Sequence, residues 1–140
     1  RKFMPFSEMS VLSEEFARCV AHQTDKIVFI TDREKVIAAA GDGLKGIVGK
    51  EISHSLERIL DDRDESLPLA ERSRFIPVVE GMDGADEVKK VEQVRQMIRS
   101  NGQIIGSIII QSKDPKYKVG EFEKKVAMVA AEFLGKQITI

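Results

Sequence analysis

Two pairs of apolar runs in this chain are joined by connections too short for anything but antiparallel pairing. In the first pair, a short polar turn separates Lys26–Asp32 (KIVFITD) from Lys35–Ala40 (KVIAAA). In the second, Asn101-Gly102, a dipeptide typical of tight hairpins, precedes the run Gln103–Gln111 (QIIGSIIIQ), so Gln93–Arg99 is predicted to pair with that run. Parallel strands would need a crossover of a dozen or more residues. The sequence therefore predicts a largely antiparallel sheet.

Helices are predicted at both ends of the chain. Apolar residues recur every three or four positions over about Ser7–His22 and again over Val119–Gln137, with charged residues between them. A short helix is predicted over Ile52–Leu60. Arg74–Val79 (RFIPVV) is predicted to be an edge strand, because Pro77 cannot donate a ladder hydrogen bond. The order helix, hairpin, short helix, strand, hairpin, helix is typical of an α+β layer fold.

Charge and cysteine content exclude several classes of protein. Lys and Arg number 22 against 23 Asp and Glu, a net charge of −1, and the loose basic stretch Lys89–Arg99 is interrupted by Glu92. Because phosphate binding needs a concentrated positive field, we expect this chain alone not to bind DNA. The single cysteine, Cys19, excludes an intrachain disulfide, and its place on the first helix's apolar stripe predicts a small buried hydrophobe. No apolar run approaches the ~20 residues of a membrane span, so a cytoplasmic domain is expected.

The organisation of the chain is that of one domain with a short lead-in. A chain of 140 residues with 42% hydrophobic residues can carry one core. The first residue is Arg rather than Met, and Arg1–Phe6 (RKFMPF) shows no hydrophobic period. We interpret residues 1–6 as the end of a linker from a missing N-terminal domain, and residues 7–140 as a single domain.

Three local patterns suggest chemistry, but each is better explained as ordinary structure. Gly41, Gly43 and Gly46 match G-x-G-x-x-G, yet a dinucleotide site needs a parallel strand after the helix that follows, and none is visible here. The acidic stretch over 61–65 lacks the glycine and closing glutamate of a calcium loop. His54 lies between two serines without a nucleophile elbow around them. We therefore expect no catalytic residue and no metal site.

The terminal helices carry broad apolar stripes that allow two interpretations. Leu12 and Phe16 in the first helix, and Val126, Val129 and Phe133 in the last, step by three and four residues. In one interpretation both stripes cover a face of the sheet. In the other, part of each stripe packs against the same helices of a second subunit in a two-fold bundle. The pattern alone favours neither.

The whole chain resembles the C-terminal, GAF-like domain of the stage V sporulation protein T family. The members of this family are transcriptional regulators of spore-forming bacteria. Residues 66–90 match less well than the rest, and the stretch IIGSIIIQSKD (104–114) is a specific match. The segments that carry the resemblance are RKFMPFSE (1–8), KIVFITDREKVIAAAG (26–41), GKEISHSLERIL (49–60), NGQIIGSIIIQSKD (101–114) and VGEFEKKVAMVAAEFLGKQ (119–137).

The resemblance implies a central antiparallel sheet with the N- and C-terminal helices on one face and a short helix and loops on the other. It implies a homodimer joined by the terminal helices, a tetramer in a longer form, and contact with DNA only through an N-terminal swapped-hairpin domain. It also implies a small-molecule pocket between the sheet and the short helix, although no ligand-specific motif or cofactor is identified. The implied lining residues are Phe29, Thr31, Ala39, Gly43, Ile47, Ile52, Phe75 and Ile108.

A regulatory sensor domain is thus the predicted function, and two alternatives stand beside it. One is a pure oligomerisation scaffold, in which the bulky side chains of Phe29, Ile47, Phe75 and Ile108 fill the pocket. The other is a small enzyme, since one GAF-like branch reduces methionine sulfoxide. That branch needs several cysteines, and this chain has one.

Overall fold

Three helices and four strands make up the described part of the chain. The structure is a computed structural model that describes residues 10–41, 44, 46–61, 75–81, 91–114 and 116–137. It confirms the α+β class. The elements in chain order are α1 (Ser10–Thr24), β1 (Ile27–Thr31), β2 (Val36–Ala40), α2 (His54–Leu60), β3 (Gln93–Ser100), β4 (Gln103–Gln111) and α3 (Glu121–Gln137).

The four strands form one antiparallel sheet in the order β2-β1-β4-β3. At its centre, Phe29 of β1 pairs with Ala39 of β2 and with Ile109 of β4. Both predicted hairpins are therefore confirmed, and the long-range pairing of β1 with β4 joins them into one sheet. That pairing places the two continuous apolar runs in the middle, where both faces of a strand are buried.

The hairpin turns follow from their residue types. Asn101 and Gly102 have φ values of 54° and 76°, the left-handed conformation that a two-residue turn of this kind requires. In the β1–β2 turn, the Asp32 carboxylate accepts hydrogen bonds from the backbone N–H groups of Glu34 (2.7 Å) and Lys35 (2.8 Å). Such a side-chain turn closes a hairpin without glycine.

Each face of the sheet carries its own apolar core. On what we call the helix face, α1 and α3 cover the sheet residues Val28, Ile30, Ile98, Ile108 and Ile110. On what we call the loop face, α2 and the segment 75–81 cover the opposite side of the same strands. The buried residues of the loop face are Phe29, Val36, Ile52, Leu56, Leu60, Ile76, Val78, Val79 and Ile109.

The terminal helices turn their smaller residues toward the sheet. In α1 the buried residues are Ser13, Ala17, Val20 and Thr24, and in α3 they are Ala127, Ala130, Ala131, Leu134 and Gly135. Small side chains let a helix axis come close to the strands, so the bulky members of each stripe are left at the flanks. The prediction that Cys19 is a buried hydrophobe is wrong: Cys19 is exposed, because the buried face of α1 passes through Ala17 and Val20 instead.

Two further predictions need correction. α1 ends two residues later than predicted, α2 and α3 each begin two residues later than predicted and end at the predicted residue, and the predicted N-cap Ser7 lies outside the described residues. The described part of the predicted strand Arg74–Val79, residues 75–79, is not a strand. The backbone groups of Ile76, Pro77 and Val78 instead bond to Ser53 and to the side chain of Gln93, so they need no ladder partner.

Candidate functional site

The loop face brings together four of the residues predicted to line a pocket. Phe29 is fully buried there and Ile52 is buried beside it, while Ala39 and Ile47 are half-buried against the same core. Phe75, also predicted, is half-buried at the start of the segment 75–81. Gly43 lies outside the described residues. This face is therefore where the predicted pocket residues meet, and in the described part they meet as a packed apolar layer.

Thr31 and Ile108 have different surroundings from those four. Thr31 is fully buried, and its hydroxyl lies 2.7 Å from the hydroxyl of Ser107, which is also fully buried. Ile108 is on the helix face, so its prediction as a pocket residue is wrong. Successive side chains of a strand point to opposite faces, and the residue of β4 that lies opposite Phe29 is Ile109.

The segment 75–81 covers the loop face and is hydrogen-bonded to residues on both sides of it. On one side, Ser53 donates from its hydroxyl to the Pro77 carbonyl (2.7 Å) and from its backbone N–H to the Val78 carbonyl (2.7 Å). On the other, the side-chain amide of Gln93 donates to the Ile76 carbonyl (2.9 Å). Polar contacts at its margins thus hold buried side chains beneath it.

Ser53 also determines where α2 starts. Its hydroxyl accepts from the backbone N–H of Leu56 (3.0 Å), the contact of an N-cap serine. One residue later, His54 donates its backbone N–H to the Glu80 carboxylate (2.9 Å), and the imidazole Nδ1 lies 3.0 Å from that carboxylate. The start of α2 and the segment 75–81 are therefore one connected unit. His54 serves that connection at the surface, and its neighbour Ser53 is a capping residue rather than a nucleophile.

A cleft of about 270 Å³ lies at the hairpin end of the sheet, and none of its described lining residues is a predicted pocket residue. It is lined by Arg33, Arg99, Gly102, Gln103 and Ile104. Sequence reasoning missed these residues, because the turn of one hairpin and the end of another meet only through the β1–β4 pairing.

Arg33 is held in this cleft by three acceptors. Its Nη1 donates to the carbonyl of Ile104 (3.1 Å) and, at a longer 3.5 Å, to that of Leu60, and its Nη2 pairs with the Asp61 carboxylate. Asp61, predicted to belong to a solvated acidic loop, is thus partly engaged at the end of α2. The guanidinium joins the end of α2 to β4, which fixes a cation at the rim of the loop face.

The helix face leaves bulky apolar side chains in contact with solvent. Val129 is 65% exposed and Phe133 is 40% exposed, and both belong to the predicted interface between subunits. Leu12, Phe16 and Val126, the other predicted members, are half-buried at the margin of the core. The rings of Phe16 and Phe133 lie 5.3 Å apart, centroid to centroid, so the apolar flanks of α1 and α3 form one continuous surface. We call this surface, formed by Leu12, Phe16, Val126, Val129 and Phe133, the outer helical face. Val11 and Phe122 are further exposed apolar residues near the starts of the two helices.

Two carboxylates are held ionised by neighbours at the ends of the elements. The backbone N–H of Val119 (2.9 Å) and the ammonium of Lys118 (3.3 Å) lower the pKa of Glu92, which thereby anchors the start of α3 to the start of β3. A hydrogen bond from Lys113 (2.9 Å) lowers the pKa of Asp25. Both contacts organise the chain rather than a site.

Within the ranges that the structure describes, no three His, Cys, Asp or Glu side chains are grouped as metal ligands. No helix in those ranges has both the length and the apolar character needed to span a membrane.

Comparison with known proteins gives a family. A family model described as "Stage V sporulation protein T C-terminal, transcription factor" matches residues 8–139. Stage V sporulation protein T from Bacillus subtilis (strain 168) is 33% identical over 138 residues, which cover 99% of this chain and 73% of that protein.

Solved structures share the fold at low sequence identity. The cofactor-binding GAF domain of the nutrient sensor CodY from Clostridium difficile superposes with a TM-score of 0.61 at 12% identity, over 91% of this chain and 90% of that one. Type II free methionine-R-sulfoxide reductase from Thermoplasma acidophilum superposes with a TM-score of 0.60 at 14% identity, over 94% of each chain. At these identities the similarity establishes a GAF-like fold and nothing about activity.

Proposed function

Because the chain belongs to the stage V sporulation protein T C-terminal family of transcription factors, we propose that it is the dimerising regulatory domain of a sporulation regulator. In this proposal it controls an N-terminal swapped-hairpin DNA-binding domain, and the longer protein assembles as a tetramer. The net charge of −1 supports DNA binding by the N-terminal domain rather than by this chain.

The outer helical face is the observation that carries the dimer. The helices already cover the sheet with Ala, Ser and Gly residues, so Val129 and Phe133 are not needed for the core of one subunit. A contiguous exposed apolar surface is uncommon on a monomer and typical of interaction sites. Pairing the same surface about a two-fold axis buries it on both subunits at once. A second copy of this chain is therefore the occupant we propose.

The loop face is the part we propose to respond to a small molecule. Its cover, the segment 75–81, is hydrogen-bonded to residues outside it through Ser53, His54 and Gln93. Displacement of that segment would open a space bounded by Phe29 and Ile52. A ligand that binds the open form better than the closed form would shift the population between them.

A scaffold without a ligand is the second candidate, and the packing of the loop face favours it. Leu56, Leu60 and Val78 are buried to within 1% and fill the layer between α2 and the sheet. In this reading the domain contributes only the dimer. An enzyme is less well supported, since the single cysteine, Cys19, is exposed on α1, a helix of the opposite face of the sheet.

The dimer is tested by a charge placed in the outer helical face. Val129→Glu introduces two carboxylates into a two-fold seam without touching the subunit core, because Val129 is 65% exposed. We expect association at least ~100-fold weaker, about 2.8 kcal/mol, and sedimentation velocity should show monomers where the parent shows dimers. Val48→Glu is the matched control, since Val48 is 56% exposed and lies in a loop beyond β2, outside both terminal helices.

Three outcomes decide the matter. A monomeric parent at tens of micromolar ends the dimer proposal, as does a Val129→Glu variant that remains dimeric. Equal dissociation by Val48→Glu would show that added charge, rather than its position, causes the effect. Far-ultraviolet circular dichroism of all three proteins should coincide.

Regulation is tested in a chimera. The chain is joined behind the swapped-hairpin DNA-binding domain of stage V sporulation protein T from Bacillus subtilis, and DNA affinity is measured by fluorescence anisotropy. We expect Val129→Glu to weaken DNA binding at least ~10-fold through lost bivalency, and the chain alone not to bind. Sedimentation of the chimera reports whether it forms tetramers. Unchanged affinity in the Val129→Glu chimera would separate dimerisation from DNA binding and refute the proposed control.

A further inference from the structure

We propose that the cleft at the hairpin end of the sheet binds a small organic carboxylate through Arg33 and Arg99. The cleft has about 270 Å³ of space, just below the ~300–1,000 Å³ of pockets for drug-sized ligands. Its size therefore suits a compact metabolite rather than a nucleotide. The site deepens the proposed sensing role, on which its biological meaning rests, but its occupancy is measurable without it.

Arg33 has the properties of a fixed anion-binding group. Only 37% of its side chain is exposed, and the carbonyls of Ile104 and Leu60 hold its Nη1. A guanidinium that is already oriented loses little conformational entropy when it forms a two-pronged contact with a carboxylate. Among the described residues its acceptors are these two carbonyls and Asp61, which use three of the five N–H donors of an arginine.

Arg99 supplies the second cation. It lies in β3 opposite Ile104, on the other strand of the Asn101-Gly102 hairpin, and no described residue forms an ion pair or hydrogen bond with its side chain. Asp61 balances the charge of Arg33, so among the described residues Arg99 gives the cleft a net positive charge. An exposed arginine and an oriented one that line the same cleft form a pair of the kind that captures a carboxylate.

The remaining lining residues determine the ligand class. Ile104 is half-buried and apolar, so it can contact a short hydrocarbon part of the ligand. Gln103 is exposed and offers an amide at the rim, and Gly102 has no side chain to close the opening. An anionic head next to a small apolar group matches this lining better than inorganic phosphate, which would gain nothing from Ile104.

The position of the cleft also gives it a route to the dimer. The carbonyl of Arg99 lies where a side chain on Gly135 would be, so β3 and α3 are in direct backbone contact at this point. A ligand that draws Arg99 toward Arg33 therefore acts on the strand against which α3 rests. On the other side, Arg33 holds Asp61 at the end of α2, next to the loop face.

The test is a titration of the chain followed by nitrogen-15 correlated NMR. The probes are isobutyrate, acetate and inorganic phosphate, each added to about 50 mM at constant ionic strength, a range that detects millimolar binding. We expect isobutyrate to shift the backbone resonances of Arg99, Gly102 and Ile104 saturably, and to bind at least ~3-fold tighter than acetate because of its additional methyl groups. Arg99→Gln should weaken binding at least ~10-fold. Arg18→Gln, which removes an exposed arginine on α1, is the matched control and should leave it unchanged.

Several results would overturn the site. These are no saturable shift with isobutyrate, equal binding by the Arg99→Gln variant, or equal loss in Arg18→Gln. Phosphate binding as tightly as isobutyrate would overturn the carboxylate class. Failure of the sensing role is distinguishable, because isobutyrate would then bind the chimera described above without changing its DNA affinity.

Discussion

Replacing Gly135 by alanine should destabilise the domain, although alanine is the better helix former. Gly135 lies in the last turn of α3 and is buried against β3. A methyl group on its Cα would come within 3.2 Å of the Arg99 carbonyl carbon and closer still to the carbonyl oxygen. The oxygen would be roughly 1 Å inside the ~3.3–3.6 Å at which carbon and oxygen ordinarily approach each other. It belongs to the backbone of a paired strand, so it cannot rotate out of the way.

The expected loss follows from two opposing effects. Overpacking a core site costs about 1–3 kcal/mol, and the upper end applies here because a helix and a strand must separate. Alanine in place of glycine in a helix returns about 1 kcal/mol. We therefore expect a net loss of about 2 kcal/mol in the free energy of unfolding, or a Tm lower by about 4–8 °C for a chain of this size.

Urea unfolding followed by circular dichroism measures this loss. Parent and variant are compared at two protein concentrations, because dimer formation adds a concentration-dependent contribution to stability. Lys125→Ala, on the exposed side of the same helix, is the control and should change stability by less than about 0.5 kcal/mol. A Gly135→Ala protein as stable as the parent, or more stable, would refute the close approach of α3 to β3.

Two further changes test the interior and the charges. Thr31→Val leaves the buried hydroxyl of Ser107 without its partner and should cost about 1–3 kcal/mol; the double variant Thr31→Val/Ser107→Ala should recover part of this in urea unfolding, and equal stability of single variant and parent would contradict it. Glu92 has a pKa lowered from 4.5 by the backbone N–H of Val119 and by Lys118, so its contribution is fully present above that unfolded-state value and is lost as pH falls through the folded-state pKa. Glu92→Gln should therefore flatten the fall in Tm below about pH 4.5; parallel pH profiles of parent and variant would refute the contact.

Much of the fold was predictable because it depends on local chemistry. Asn101-Gly102 adopts left-handed φ values that few other dipeptides accept, and the apolar runs on either side have the β-branched residues of buried strands. The periodic apolar stripes predicted that α1 and α3 exist, and predicted their bounds to within three residues. Where a backbone partner comes from elsewhere, prediction failed: Arg74–Val79 has strand composition, but Ser53 and Gln93 supply the hydrogen bonds of its described part.

The candidate sites depended on the tertiary structure. Phe29, Ala39, Ile47 and Ile52 pack against one core, but whether Ile108 or Ile109 joins them depends on which face β4 turns to α3. The cleft of Arg33 and Arg99 depends on a pairing of β1 with β4 across more than seventy residues.

The sequence by itself determined that apolar stripes run along both terminal helices and that hairpins make the sheet. Only the tertiary structure decided how each helix is rotated about its axis. A helix settles against a sheet where its side chains permit the closest approach, so Ala127, Ala130 and Gly135 face the strands and Phe133 is turned outward. By hydrophobicity alone, Phe133 would be buried in preference to those residues. The short distance between the packed backbones of helix and sheet leaves room only for the small side chains.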